Sequence, residues 1–125
     1  MVVLATEAPL GDRQLRRLCV RAEAGLARMG SHHMHGSGDF VIAFSTAYRI
    51  EDEPASLTTR RTVLADEERA MAGLFPAVVE SVEEAILDSL CCAETMVGRD
   101  GNTRHALPVD EVVTLVCKSR IETVK

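Results

Sequence analysis

Two short apolar runs, Val2–Ala5 and Phe40–Phe44, constrain the fold of this chain more than any other feature. Neither alternates between apolar and polar residues. A strand with one solvated face reads in alternation, whereas an unbroken apolar run marks a strand covered on both sides. Both segments therefore read as central strands. Ser45–Ile50 prolongs the second, and Thr62–Leu64 reads as a short edge strand. A stable sheet usually holds about four to six strands. The pattern predicts a chain that completes its sheet with strands from another polypeptide.

Helices supply the rest. Pro9 and Gly11 punctuate the chain after the first strand, and Asp12 reads as the N-cap of a helix from Arg13 to Met29. Leu15, Leu18, Cys19, Ala22, Leu26 and Met29 share its inner face, Gly30 suits the C′ position, and the arginines read as a solvated face. Glu51–Arg61 is a polar connection. A helical pattern then runs from Asp66 to about Met96, and Pro76 predicts a break between a short helix and a long one. The long helix carries the stripe Val78, Val79, Val82, Ala85, Ile86, Leu90 and Ala93, with Glu80, Glu83, Glu84 and Asp88 on the wet side. Gly98–Thr103 reads as a tight turn, and Glu111–Ser119 as a last helix. With 125 residues this is one α+β domain, residues 1–125.

Charge and cysteine usage exclude several classes of function. Fourteen basic against nineteen acidic residues give a net charge of −5, which argues against a nucleic-acid partner held by a basic surface. No apolar run approaches the ~20 residues of a membrane span. Met1–Ala5 has no basic leader, so it reads as a strand and not as a secretory signal. Cys19, Cys91, Cys92 and Cys117 show no C-x-x-C spacing, and adjacent helical cysteines point about 100° apart. All four read as reduced core or near-core residues of a cytoplasmic protein.

Two loops carry candidate chemistry. His32, His33 and His35 suggest a metal, but three imidazoles within four residues of one loop converge poorly on a tetrahedral ion, and no cysteine or carboxylate stands at ligand spacing. We expect no metal and no cofactor, and assign these histidines no proton to move. Gly36-Ser37-Gly38-Asp39 immediately precedes the second strand. Glycines on both sides leave the Ser37 hydroxyl accessible, and Asp39 stands where it can orient a hydroxyl. A capped loop-to-strand turn explains the same residues, and there is no G-x-S-x-G. Asn102 lies in the Gly98–Thr103 turn and reads secondarily as a substrate-loop residue.

Longer stretches carry a resemblance. Val2–Leu10, Gly36-Ser37-Gly38-Asp39-Phe40, Ala43-Phe44-Ser45-Thr46, Glu83-Glu84-Ala85-Ile86-Leu87 and Gly98–Pro108 occur in the order found in one family. Together they resemble the C-terminal (β) subunit of the self-cleaving serine aminopeptidases, the L-aminopeptidase/D-esterase (D-amidase) and β-peptidyl aminopeptidase family. The resemblance implies a four-layer αββα sandwich whose sheet is completed by an α chain cut from the same precursor at a Gly-Ser bond. It implies oligomers of αβ units and release of N-terminal residues from short peptides, amides or esters through an acyl-enzyme. The nucleophile is the new N-terminal serine, whose own α-amine is the general base, with backbone or asparagine donors for the oxyanion.

Matched residue by residue, Ser37 and Asp39 take the places of a second serine and an acidic residue beside the nucleophile. Ser37 would relay its proton and Asp39 would hold Ser37, with Gly36 and Gly38 shaping the loop. Ungapped matching sets the nucleophile about two positions upstream of Met1. The alternatives are a non-catalytic remnant or interaction subunit of the same fold, and a metal-binding module built on the histidine loop.

Overall fold

The computed structural model describes residues 1–36, 38–65 and 67–123, and its contacts separate into two units, Met1–Glu84 and Ala85–Lys125. In the first unit, β1 (Val2–Thr6) pairs in parallel with β2 (Val41–Ser45), in a register running from Val2↔Val41 to Thr6↔Ser45. Parallel neighbours need a crossover, and α1 (Asp12–Arg28) supplies it and packs on β2.

Gly11, one residue earlier than expected, is the N-cap of α1. The Gln14 side chain three residues on accepts from the Gly11 N–H at 2.8 Å, which satisfies a donor that the helix itself cannot. Leu18, Ala22 and Gly25 follow at helical spacing and are buried.

α2 (Glu67–Cys91) runs through Pro76 without the expected break. Asp66, where the sequence pattern begins, lies outside the described residues. Met71, Val78 and Val82 are all buried, on one face across the proline. Pro76 and Ala72 lie on the exposed side, so the carbonyl that proline leaves unpaired is turned toward solvent. One continuous buried face outweighs one missing helical hydrogen bond.

Where α1 crosses α2, a Cβ built on Gly25 would come within 2.8 Å of Val82 Cβ and 2.9 Å of the Val79 carbonyl oxygen. The α1 arginines do more than face solvent. Arg17 and Arg21 lie over the Phe75 ring, 5.0 and 4.3 Å from its centroid, and Arg28 pairs with Glu83 at 2.9 Å. Such contacts bring α1 and α2 together through cation–π attraction as well as burial.

The strands differ from expectation on one face. Val2, Leu4, Val41 and Ala43 are half-buried, but Val3, Ile42 and Phe44 are 57%, 54% and 46% exposed. Apolar continuity called for cover on both sides, and the helices of this chain cover one. Thr62–Leu64 is not a strand, although Leu64 N–H donates to the Pro9 carbonyl at 2.9 Å.

In the second unit, β3 (Met96–Val97) and β4 (Thr103–Arg104) form an antiparallel hairpin that the sequence reading took only as a turn. Asp100 and Gly101, at φ 58° and 75°, give the left-handed corner such a hairpin needs. α3 (Val109–Thr123) starts two residues earlier than expected, its first bonds accepted by the Pro108 carbonyl. Val113, Leu115 and Val116 on α3 are exposed.

All four cysteines are free, but only Cys19 is even partly buried, and Cys91, Cys92 and Cys117 are exposed. For Cys91 and Cys92 the expectation of core cysteines fails because the α2 stripe loses its cover beyond Val82, where Leu87 and Leu90 are exposed too; Cys117 lies on α3, beside the exposed Val113 and Val116. The Cys92 thiol donates to the Asp88 carboxylate at 3.5 Å; that bond and the carboxylate's negative charge raise its pKa above the ordinary thiol value. No helix among the described residues is long and apolar enough to cross a membrane.

Candidate functional site

The parallel pairing of β1 and β2 decides what lies at their shared N-terminal edge. Val2 N–H donates to the Phe40 carbonyl at 2.8 Å, so Met1 stands level with Phe40. Gly36, Gly38 and Asp39 occupy the approach to β2 at the same edge. Gly36 has φ 90° and open space where a Cβ would stand, as a sharp turn requires. At Gly38 a Cβ would meet the exposed Phe40 ring at 3.5 Å, ordinary contact. Ser37 lies outside the described residues.

Asp39 is the acidic group at this edge, and its partner is His33. His33 Nδ1 stands 3.1 Å from Asp39 Oδ2, with side chains 41% and 33% exposed. The sequence reading gave His33 no part, because no motif pairs a loop histidine with a carboxylate six residues on. The usable signal was simpler: a histidine and an aspartate flanking a glycine-rich turn are within reach of each other whenever the turn closes. His32 and His35 are exposed. Among the described residues no three histidine, cysteine, aspartate or glutamate side chains gather as a metal site.

The opposite end of β2 is closed by hydroxyl and backbone bonds. Ser45 Oγ donates to the Ala8 carbonyl at 2.7 Å, and Thr46 N–H donates to the Thr6 carbonyl at 2.8 Å. From there residues 47–61 enclose an open cleft of about 420 Å³, lined by Tyr48, Arg49, Arg60 and Arg61 among others. Tyr48 donates to the Thr62 carbonyl at 2.6 Å, and the Arg61 guanidinium lies 5.4 Å from the Tyr48 ring centroid. This cleft follows β2, whereas Asp39 precedes it. Asn102 belongs to the second unit, where its amide nitrogen donates to the Arg99 carbonyl at 2.9 Å and holds the hairpin corner.

Known proteins resemble this chain in sequence and in fold. Residues 1–104 match the profile of Peptidase family S58. The chain is 37% identical over 121 residues to the beta-peptidyl aminopeptidase BapA of Sphingosinicella microcystinivorans, covering 96% of this chain and 30% of that protein. A crystal structure from Pyrococcus horikoshii OT3 matches with a TM-score of 0.83 and 42% identity, over 94% of this chain and 33% of that one. The L-aminopeptidase D-Ala-esterase/amidase of Ochrobactrum anthropi matches with a TM-score of 0.81 and 31% identity, over 94% and 33%. That enzyme is a prototype of the serine aminopeptidases and a variant of the Ntn-hydrolase fold. The chain spans about a third of the length of these proteins. With a profile match over residues 1–104 and similarity along nearly its whole length to aminopeptidases, the chain belongs to peptidase family S58.

Proposed function

We propose that this chain is the β portion of an αβ serine aminopeptidase that releases N-terminal residues from short peptides, amides or esters. Its nucleophile is a serine just upstream of Met1, freed by self-cleavage of a longer precursor. The α-amine of that serine takes the hydroxyl proton as oxygen attacks the substrate carbonyl. The tetrahedral intermediate then collapses, the leaving amine or alcohol departs with a proton, and water hydrolyses the acyl-enzyme. Ser37 relays the proton and Asp39 holds Ser37. Gly36 and Gly38 keep the loop open, and Asn102 is a substrate-loop residue.

The observation that carries this reading is the register. Val2 pairs with Val41 and its N–H donates to the Phe40 carbonyl, so a strand continued past Met1 in the same register would run toward Gly38 and Asp39, which supports a nucleophile about two positions upstream. The strand edge where a processed terminus would emerge is the edge that holds the acidic residue. The bare face of Val3, Ile42 and Phe44 supports an α chain that adds the second sheet of a four-layer αββα sandwich, with residues 1–125 folding into it as one domain. Four free thiols, three of them exposed, suit a reducing, cytoplasmic setting. Oligomers of αβ units complete the proposal.

Turnover tests it. In the enzyme expressed from the complete reading frame, Ser37→Ala should leave the fold intact and slow hydrolysis of amino-acid p-nitroanilides by roughly 10²–10⁴-fold, with a smaller loss for Asp39→Asn. Undiminished turnover in Ser37→Ala contradicts the relay, and no hydrolysis by the wild-type enzyme points to a non-catalytic subunit.

A further inference from the structure

His33 is the histidine of its loop that the fold holds against the proposed relay. It adopts a left-handed backbone, φ 46°, a conformation uncommon outside glycine though better tolerated by histidine than by most residues. Through it, Nδ1 reaches Asp39 Oδ2 at 3.1 Å. Among the described residues, the neighbours of Asp39 lend that carboxylate little support. Gly38 before it has no side chain, Phe40 after it is 70% exposed, and Gly36 adds a second flexible point to the turn. The bond occupies one carboxylate oxygen, and Oδ1 keeps its lone pairs for a further donor.

We propose that His33 is a positioning residue for Asp39: its Nδ1–H fixes one carboxylate oxygen at the N-terminal edge of β2 and so presents the other to the hydroxyl that Asp39 orients. A neutral imidazole carrying its proton on Nδ1 suffices, so no charge on His33 is required. This rests on the reading of Asp39 as part of the relay, and the test separates the two.

The complete enzyme is assayed on an amino-acid p-nitroanilide as wild type, His33→Ala, His33→Asn, Asp39→Ala and the His33→Ala/Asp39→Ala double variant. His35→Ala serves as the loop control. His33→Ala is expected to lower kcat by up to about 10²-fold with KM and Tm unchanged, the scale of a misplaced catalytic group. Asparagine tolerates the left-handed backbone and can set its amide N–H where Nδ1 stands, so His33→Asn should recover most of the loss. In the Asp39→Ala background, removing His33 should cost nothing more. Wild-type kcat in His33→Ala alongside a large loss in Asp39→Ala overturns the positioning role and leaves the relay standing. A loss that His33→Asn does not rescue, that His35→Ala shares, or that adds to that of Asp39→Ala also overturns it. Wild-type turnover in Asp39→Ala overturns both.

Discussion

Gln14 is only 4% exposed and is engaged through both ends of its amide. Its oxygen accepts from the Gly11 N–H, and its Nε2 donates to the Leu64 carbonyl at 2.9 Å. Leu64 N–H is in turn taken by Pro9. One side chain thus caps α1 and ties the segment before α2 to the turn after β1. Gln14→Leu should destabilise the protein by about 1–3 kcal/mol, the range for a buried polar group stripped of its partner. Chemical denaturation measures this, and unchanged stability would mean that solvent replaces both bonds. Neither Gln14 nor the His33–Asp39 pair was legible from periodicity. Helical spacing ranks apolar residues and passes over a glutamine, and a contact across a six-residue loop depends on backbone angles that no residue spacing encodes.

At the scale of elements, β1 and α1 were legible to within a residue, because unbroken apolar runs and a three-to-four spacing are strong signals; β2 begins one residue late and stops at Ser45, short of the expected extension to Ile50. Pro76 misled. A local rule for proline met a buried face shared by Met71, Val78 and Val82, and tertiary packing decided the outcome. The crossing of α1 over α2 depends on Gly25 having no side chain. An alanine there gains about 1 kcal/mol of helix propensity, but its Cβ would stand 2.8 Å from Val82 Cβ and 2.9 Å from the Val79 carbonyl oxygen. Backbone cannot yield as a flexible side chain does, and overpacking of this kind costs about 1–3 kcal/mol. Gly25→Ala should therefore lower Tm of the protein, and a raised Tm would show that the helices move apart without cost.

At the scale of the whole molecule, the sequence pattern predicts a sheet finished by another polypeptide; among the described residues β1 pairs with β2 alone, and Val3, Ile42 and Phe44 are exposed. The cover expected on both faces is present on one: β1 and β2 are covered on one face, and α2 and α3 expose apolar residues, because a run's apolarity does not say what covers it. The 125-residue chain made alone should aggregate or bind a hydrophobic dye, since exposed apolar strands invite pairing with other chains. A soluble monomer with one cooperative thermal transition would contradict this. The account as a whole rests on a serine terminus meeting the Ser37–Asp39 edge, and intact-mass analysis with N-terminal sequencing of the protein from the complete reading frame tests it most directly. The account predicts two polypeptides, the one containing Val2–Thr6 beginning with a serine about two positions before Met1. A single uncleaved chain, or a terminus at Met1 itself, would contradict it.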